Sequence, residues 1–200
     1  WGDSTYGGDS SSISSELNGT ISVTNIAASE RAFAAVRVDG SVITWGDSLY
    51  GGDSSGVSTE LNGATAVTSI TSSFRSFAAI RSDGSVVSWG STYNGGDSSS
   101  VSSELDGSID VISITGTAGI SNFAAFAAIR SDGSVITWGR PDYGGDSSSV
   151  SFDTPTFNAR NLHYTYPLDN QAQVAPRAIV ALQFSHAVDL TADNFLFTDT

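Results

Sequence analysis

Hydrophobic positions along this chain come in short bursts that alternate with small or polar residues, and the bursts return at a fixed interval. The segment FAAVR at Phe33–Arg37 comes back as FAAIR at Phe77–Arg81 and again at Phe126–Arg130. Successive side chains of an extended strand point to opposite faces. Phe, the second Ala and Arg therefore share one face, and the first Ala and Val or Ile share the other. Each copy is followed by Asp-Gly (Asp39-Gly40, Asp83-Gly84, Asp132-Gly133) and then by SVITW, SVVSW and SVITW, rich in β-branched residues that suit a pleated surface. Asp-Gly between two such runs predicts a hairpin with a two-residue type I′ turn. An earlier V-x-x-I run (Val23/Ile26, Val67/Ile70, Val111/Ile114) predicts a strand before each hairpin, and VSSEL or a relative predicts a short fourth strand after it. No helix is required in the first 150 residues.

The register is strict. Trp1, Trp45, Trp89 and Trp138 are spaced 44, 44 and 49 residues apart, and Leu17, Leu61 and Leu105 keep the same step. The five additional residues of the last interval lie in GTAGISNFAA, between Ile114 and Phe126, which marks a loop. Between the Trp-Gly pair and the presumptive fourth strand stands a repeated corner: YGGDSSSIS at Tyr6, YGGDSSGVS at Tyr50, NGGDSSSVS at Asn94 and YGGDSSSVS at Tyr143. Self-similarity at this period signals a repeat architecture.

Four short strands in roughly 45 residues, with a Trp-Gly and a glycine-rich corner in each unit, describe a propeller blade. A β-solenoid is the rival, but its coils are shorter and lack a strict Asp-Gly hairpin. FAAIRSDGSVVSWGSTYNGG at 77–96 resembles the repeat of the regulator of chromosome condensation family in a short bacterial version. That repeat runs from an apolar strand through a D-G turn and a V-x-x-W-G strand to an aromatic-glycine corner. The resemblance covers residues 1–152, once in part (1–20) and three times in full (about 21–63, 64–107 and 108–152). It implies an all-β, propeller-type fold of four-stranded blades. It carries over no exchange-factor activity, because nothing here maps onto that functional surface. Three full units and a partial one do not close a ring, so further blades are expected before Trp1.

Past Phe152 the repeat stops. Residues 153–200 contain His163, His186 and strand candidates at 161–166, 178–184 and 194–198. Their pattern from Pro167 to Val188 resembles the opening half of a bacterial immunoglobulin-like domain, expected here in truncated form.

Composition narrows the function. With 8 Lys+Arg against 21 Asp+Glu the formal net charge is −13, and no basic stripe exists to neutralise phosphates, so nucleic acid is excluded as a partner. No apolar run approaches the ~20 residues of a membrane span. The absence of Cys removes disulfides, zinc thiolates and cysteine nucleophiles together. Met is absent too, and the sequence is therefore expected to be an internal stretch of a longer protein.

Each GGD corner contributes one carboxylate: Asp9, Asp53, Asp97 and Asp146. Calcium is the metal these could take, but corners 44 residues apart offer one carboxylate each, whereas a hard cation wants six or more oxygens. A structural turn is the stronger reading: glycines permit positive φ, while Asp and Ser side chains bond nearby amides. No cofactor and no catalytic residue are expected. A nucleophilic serine needs a base, and both histidines lie outside the repeats. Glu16, Glu60 and Glu104 fit one solvent-facing position per unit. The tryptophans fit packing between units better than a sugar-stacking face. Asn18-Gly19-Thr20 matches a glycosylation acceptor, a short pattern that also arises by chance.

The expectation is a non-enzymatic binding or adhesion module of a large bacterial secreted or cell-surface protein, with a protein or glycan ligand. The alternative is a purely structural repeat that assembles with copies of itself into a fibre or layer.

Overall fold

The computed structural model describes residues 2–117 and 123–148. Trp1, the histidines and the whole immunoglobulin-like stretch lie outside them. Within them the chain is all-β, with three consecutive antiparallel sheets of three strands each. The first contains β1 (Val23–Ala28), β2 (Ala32–Arg37) and β3 (Val42–Gly46). The second contains β4 (Val67–Ser72), β5 (Ser76–Arg81) and β6 (Val86–Gly90), and the third β7 (Val111–Gly116), β8 (Ala125–Arg130) and β9 (Val135–Gly139). The register repeats: Phe33 pairs with Trp45, Phe77 with Trp89 and Phe126 with Trp138.

The first strand of each sheet solves a problem posed by its own spacing. Val and Ile three residues apart should face opposite sides, yet Val67 and Ile70 are both buried in one core, as are Val111 and Ile114. A β-bulge explains it. Val67 pairs with Arg81 and Ser69 with Ile80, so Thr68 is the additional residue, and the same shift occurs in β1 and β7. Thr24 and Thr68 turn their hydroxyls back to the carbonyls of Val36 and Ile80, each at 3.1 Å.

Two expectations need correction. The presumptive fourth strand is not a strand among the described residues. Ser55–Val57 and Ser99–Glu104 form 3₁₀ turns, so each sheet has three strands rather than four. The apolar residues of that segment, Val57 and Leu61, are four apart and thus lie on one side of a helical coil, where Leu61 is buried and its carbonyl accepts from Val42 N–H at 2.9 Å. Val86 N–H bonds Leu105 in the same way, and among the described residues these two bonds stand where the expected ladder would be. Nor is the hairpin a two-residue turn. Arg37 N–H bonds Ser41 and Gly40 N–H bonds Arg37, each at 2.9 Å, enclosing a three-residue loop that ends on left-handed Gly40 (φ 77°). The loop is pinned from inside: Arg37 Nε donates to Ser41 Oγ (2.8 Å), which donates to Asp39 Oδ1 (2.6 Å). Arg81–Ser85–Asp83 and Arg130–Ser134–Asp132 repeat the relay.

Packing runs from sheet to sheet. Ala34 and Val36 of the first sheet meet Ile70, Phe77, Ala79 and Trp89 of the second in one core. Ala78 and Ile80 of the second meet Ile114, Phe126, Ala128 and Trp138 of the third in another. The two-faced alternation read from FAAVR is what lets one strand serve two cores. The additional residues of the last interval stand between β7 and β8, and residues 118–122 of that stretch lie outside the described ones.

Candidate functional site: corner glycines and an arginine–aromatic ladder

The GGD corner is where consecutive units join. After Trp45-Gly46, Asp47 caps a 3₁₀ turn at Ser48–Tyr50 by accepting from Leu49 N–H (2.9 Å), and the turn ends on left-handed Gly51 (φ 91°). The Gly51 carbonyl accepts the indole N–H of Trp89, 38 residues on, at 3.1 Å. Gly7 serves Trp45 (3.1 Å) and Gly95 serves Trp138 (3.0 Å) in the same way. Each Trp stacks on the Phe opposite it, with centroids 5.2 to 5.4 Å apart. That Phe lies over the corner glycine: a Cβ on Gly51 would stand 2.7 Å from Phe77 Cδ2. The second glycine has a different duty, because a Cβ on Gly52 would overlap the Gly46 carbonyl of the same unit. Trp89 and Trp138 are buried, whereas Trp45 in the equivalent place is half-buried.

The carboxylates placed beside these glycines turn inward on their own corners. Asp9, Asp53, Asp97 and Asp146 accept from the amides of Ser11, Ser55, Ser99 and Ser148 at 2.8 to 2.9 Å. Bonds from those serines hold all four below the usual carboxylate range. Among the described residues no group of three or more His, Asp or Glu side chains gathers as a metal site. Glu16, Glu60 and Glu104 occupy equivalent positions, with Glu16 3.7 Å from Arg37. Asn18 accepts from Thr20 N–H at 2.8 Å, a turn repeated at Asn62 and Asp106.

Asp39, Asp83 and Asp132 are likewise depressed, chiefly by the hydroxyl bonds from Ser41, Ser85 and Ser134. Groups depressed on folding contribute stability above their unfolded pKa, near 3.8 to 4, and lose it as pH falls through the lower folded value. Thermal melts are therefore expected to be flat from pH 8 to about 5 and to fall steadily below about 4. A melting temperature that rises on acidification below pH 4 would mean that relief of the net negative charge outweighs these bonds.

At the end of the sheets opposite the Asp-Gly hairpins, the sequence reading missed a second repeated feature. The β1–β2 connection places Arg31 between two corner tyrosines, its guanidinium carbon 4.7 Å from both the Tyr6 and Tyr50 ring centres. Arg75, from the equivalent connection of the next unit, covers Tyr50 at 4.3 Å and donates to its hydroxyl at 2.6 Å, with Phe74 alongside. The result is a continuous stack, Tyr6–Arg31–Tyr50–Arg75–Phe74, that crosses unit boundaries. Nε of Arg31 and of Arg75 finds no acceptor among the described residues. At the third unit Asn94 replaces the corner tyrosine and Ala124 the arginine, and the ladder stops. A separate stack follows, with Arg140 4.3 Å over Phe123 and Phe123 parallel to Tyr143 at 4.5 Å. Tyr6, Leu49, Tyr93 and Tyr143, all on the corner turns, are exposed. The arrangement stacks flat cations and aromatic planes side by side, with Tyr50 buried at its centre and Tyr6 exposed at its end.

No family model matches the chain, and no curated protein matches it. Among solved structures it is similar to human WBSCR16 (22% identity, 65% of this chain and 37% of that one, TM-score 0.46). It is also similar to the ectodomain of the Physcomitrella patens receptor kinase CR4 (15%, 70% and 32%, TM-score 0.44). The CRINKLY WD40 ectodomain of the Arabidopsis thaliana receptor kinase ACR4 is a third (17%, 60% and 39%, TM-score 0.40). The chain spans about a third of the length of each, 32 to 39%.

Proposed function

We propose that this chain is a non-enzymatic binding module of propeller-type units, belonging to a large bacterial secreted or cell-surface protein, and that its ladder end engages a protein or glycan ligand. The observation that carries the reading is the Tyr6–Arg31–Tyr50–Arg75–Phe74 stack. Arginine stacked on aromatic faces is held in a fixed orientation, and Tyr and Arg are, with Trp, enriched at the strong positions of binding surfaces.

The test is a labelled whole chain on arrays of glycans and purified surface proteins. Retention is expected for at least one probe, and Arg31→Ala/Arg75→Ala should weaken it about tenfold or more, equivalent to about 1.4 kcal/mol. Tyr93→Ser, which alters an exposed ring with no packing role, should also weaken it while leaving the melting temperature unchanged. Retention untouched by both variants, or cleavage of the bound probe, would contradict the reading.

A further inference from the structure

The dipeptide Asn-Gly stands at Asn18-Gly19, Asn62-Gly63 and Asn94-Gly95, and the fold holds the three copies differently. In this dipeptide the glycine nitrogen can reach the asparagine Cγ, because no side chain on the glycine obstructs the approach. Three atoms govern the reaction. The glycine N–H must be free of an acceptor, Oδ1 must carry developing negative charge, and Nδ2 must leave.

At Asn94 all three are set against it. The residue is 1% exposed, and Gly95 N–H donates to the Thr92 carbonyl at 3.4 Å. Nδ2 donates to Ser91 Oγ at 2.9 Å, and Oδ1 has no donor among the described residues. At Asn18 and Asn62 the arrangement is reversed. Both residues are exposed, and neither Gly19 nor Gly63 N–H donates to a backbone carbonyl among the described residues. Each Oδ1 accepts the amide N–H two residues on, from Thr20 and Ala64, at 2.8 Å. That donor sits on the oxygen where charge would gather. These two copies differ in one respect. A Cβ on Gly19 would meet nothing within 4 Å, whereas one on Gly63 would stand 2.8 Å from the Asp39 carbonyl oxygen. The second turn is thus wedged against the hairpin of its own unit, and the first is free to rotate.

We propose that Asn18-Gly19 and, more slowly, Asn62-Gly63 are sites of spontaneous deamidation, and that the fold protects Asn94-Gly95. The glycine nitrogen bonds to Cγ and the Cγ–Nδ2 bond breaks. Nδ2 leaves as ammonia, taking up the proton that the glycine nitrogen loses. Water then opens the cyclic imide. Attack at Cγ leaves aspartate, and attack at the main-chain carbonyl leaves isoaspartate, with an additional methylene in the backbone. Each event consumes one water, releases one ammonia and adds one negative charge. The aspartate product has a precedent in the chain itself, because Asp106 stands at the same place in the next unit and accepts from Ser108 N–H at 2.8 Å. The chemistry is separate from the ladder, and loss of ladder binding leaves it intact.

Peptide mapping by mass spectrometry tests it on the whole chain, made in a host that does not glycosylate it. The folded protein is held at mildly alkaline pH in water enriched in oxygen-18. Heavy oxygen is expected at residue 18 first and at residue 62 later. Asn94 reacts only when its turn opens, so it should lag Asn18 by at least about tenfold. Gly19→Ala should slow the reaction at Asn18 and leave that at Asn62 unchanged. In concentrated urea the three rates should draw together, since the dipeptide is the same. Equal rates at Asn18 and Asn94 in the folded chain, or Asn62 outrunning Asn18, would overturn the proposal. So would an Asn18 that stays intact when folded but reacts in urea, or an order of rates that urea does not change.

Discussion

Replacing Trp89 by alanine is expected to remove about 3–5 kcal/mol of folding stability, the range for truncating a large buried aromatic. Trp89 is 4% exposed, stacks on Phe77 and gives its N–H to the Gly51 carbonyl, so its loss empties the junction and strips that carbonyl of its partner. Because stacked units stabilise one another only through neighbours, the urea transition should also split, with the units on either side of the damaged junction melting separately. Trp45→Ala makes the same chemical change where the ring is half-buried, and should cost visibly less. Equal costs at the two positions, or a loss below about 1 kcal/mol for Trp89→Ala, would contradict a packed junction.

Gly51→Val should be the most damaging single change within a corner. A non-glycine residue at φ 91° carries strain of about 1–3 kcal/mol. Here the new Cβ would also be driven into the Phe77 ring and displace the Trp89 indole from its acceptor. Gly144→Val supplies the control, with the same φ of 91° and nothing within 4 Å among the described residues. The pair separates backbone strain from packing within one protein. Gly144→Val is expected to lower the melting temperature by a few degrees, and Gly51→Val by far more or to prevent folding. Matching losses would mean that the corner glycines are kept for their backbone conformation alone.

Much of this could be read in the chain beforehand. The alternation of Phe, Ala and Arg against Ala and Val placed both faces of β2, β5 and β8 correctly, since period-two patterning is a local property of an extended backbone. The hairpins were legible for the same reason, but their loop type was not: the carbonyls of Gly40 and Gly84 are fixed by the next unit, which no dipeptide preference records. The fourth strand expected at VSSEL and its relatives fails because the spacing of four between Val57 and Leu61 suits a helical coil rather than an extended strand. What the corner does lies in contacts 38 to 43 residues long. The ladder was missed although its signal was present: Tyr6 and Tyr50, and Arg31 and Arg75, keep the 44-residue step as faithfully as the tryptophans do.

The central claim is that each corner glycine is the seat of the next unit's tryptophan. Hydrogen exchange of the indole N–H groups, followed by NMR, addresses it most directly. The structure predicts slow exchange for Trp89 and Trp138, approaching the rate set by unfolding of the junction, and faster exchange for half-buried Trp45. Exchange of Trp89 and Trp138 at the rate of free tryptophan would show that the seats are empty and the units joined in some other way.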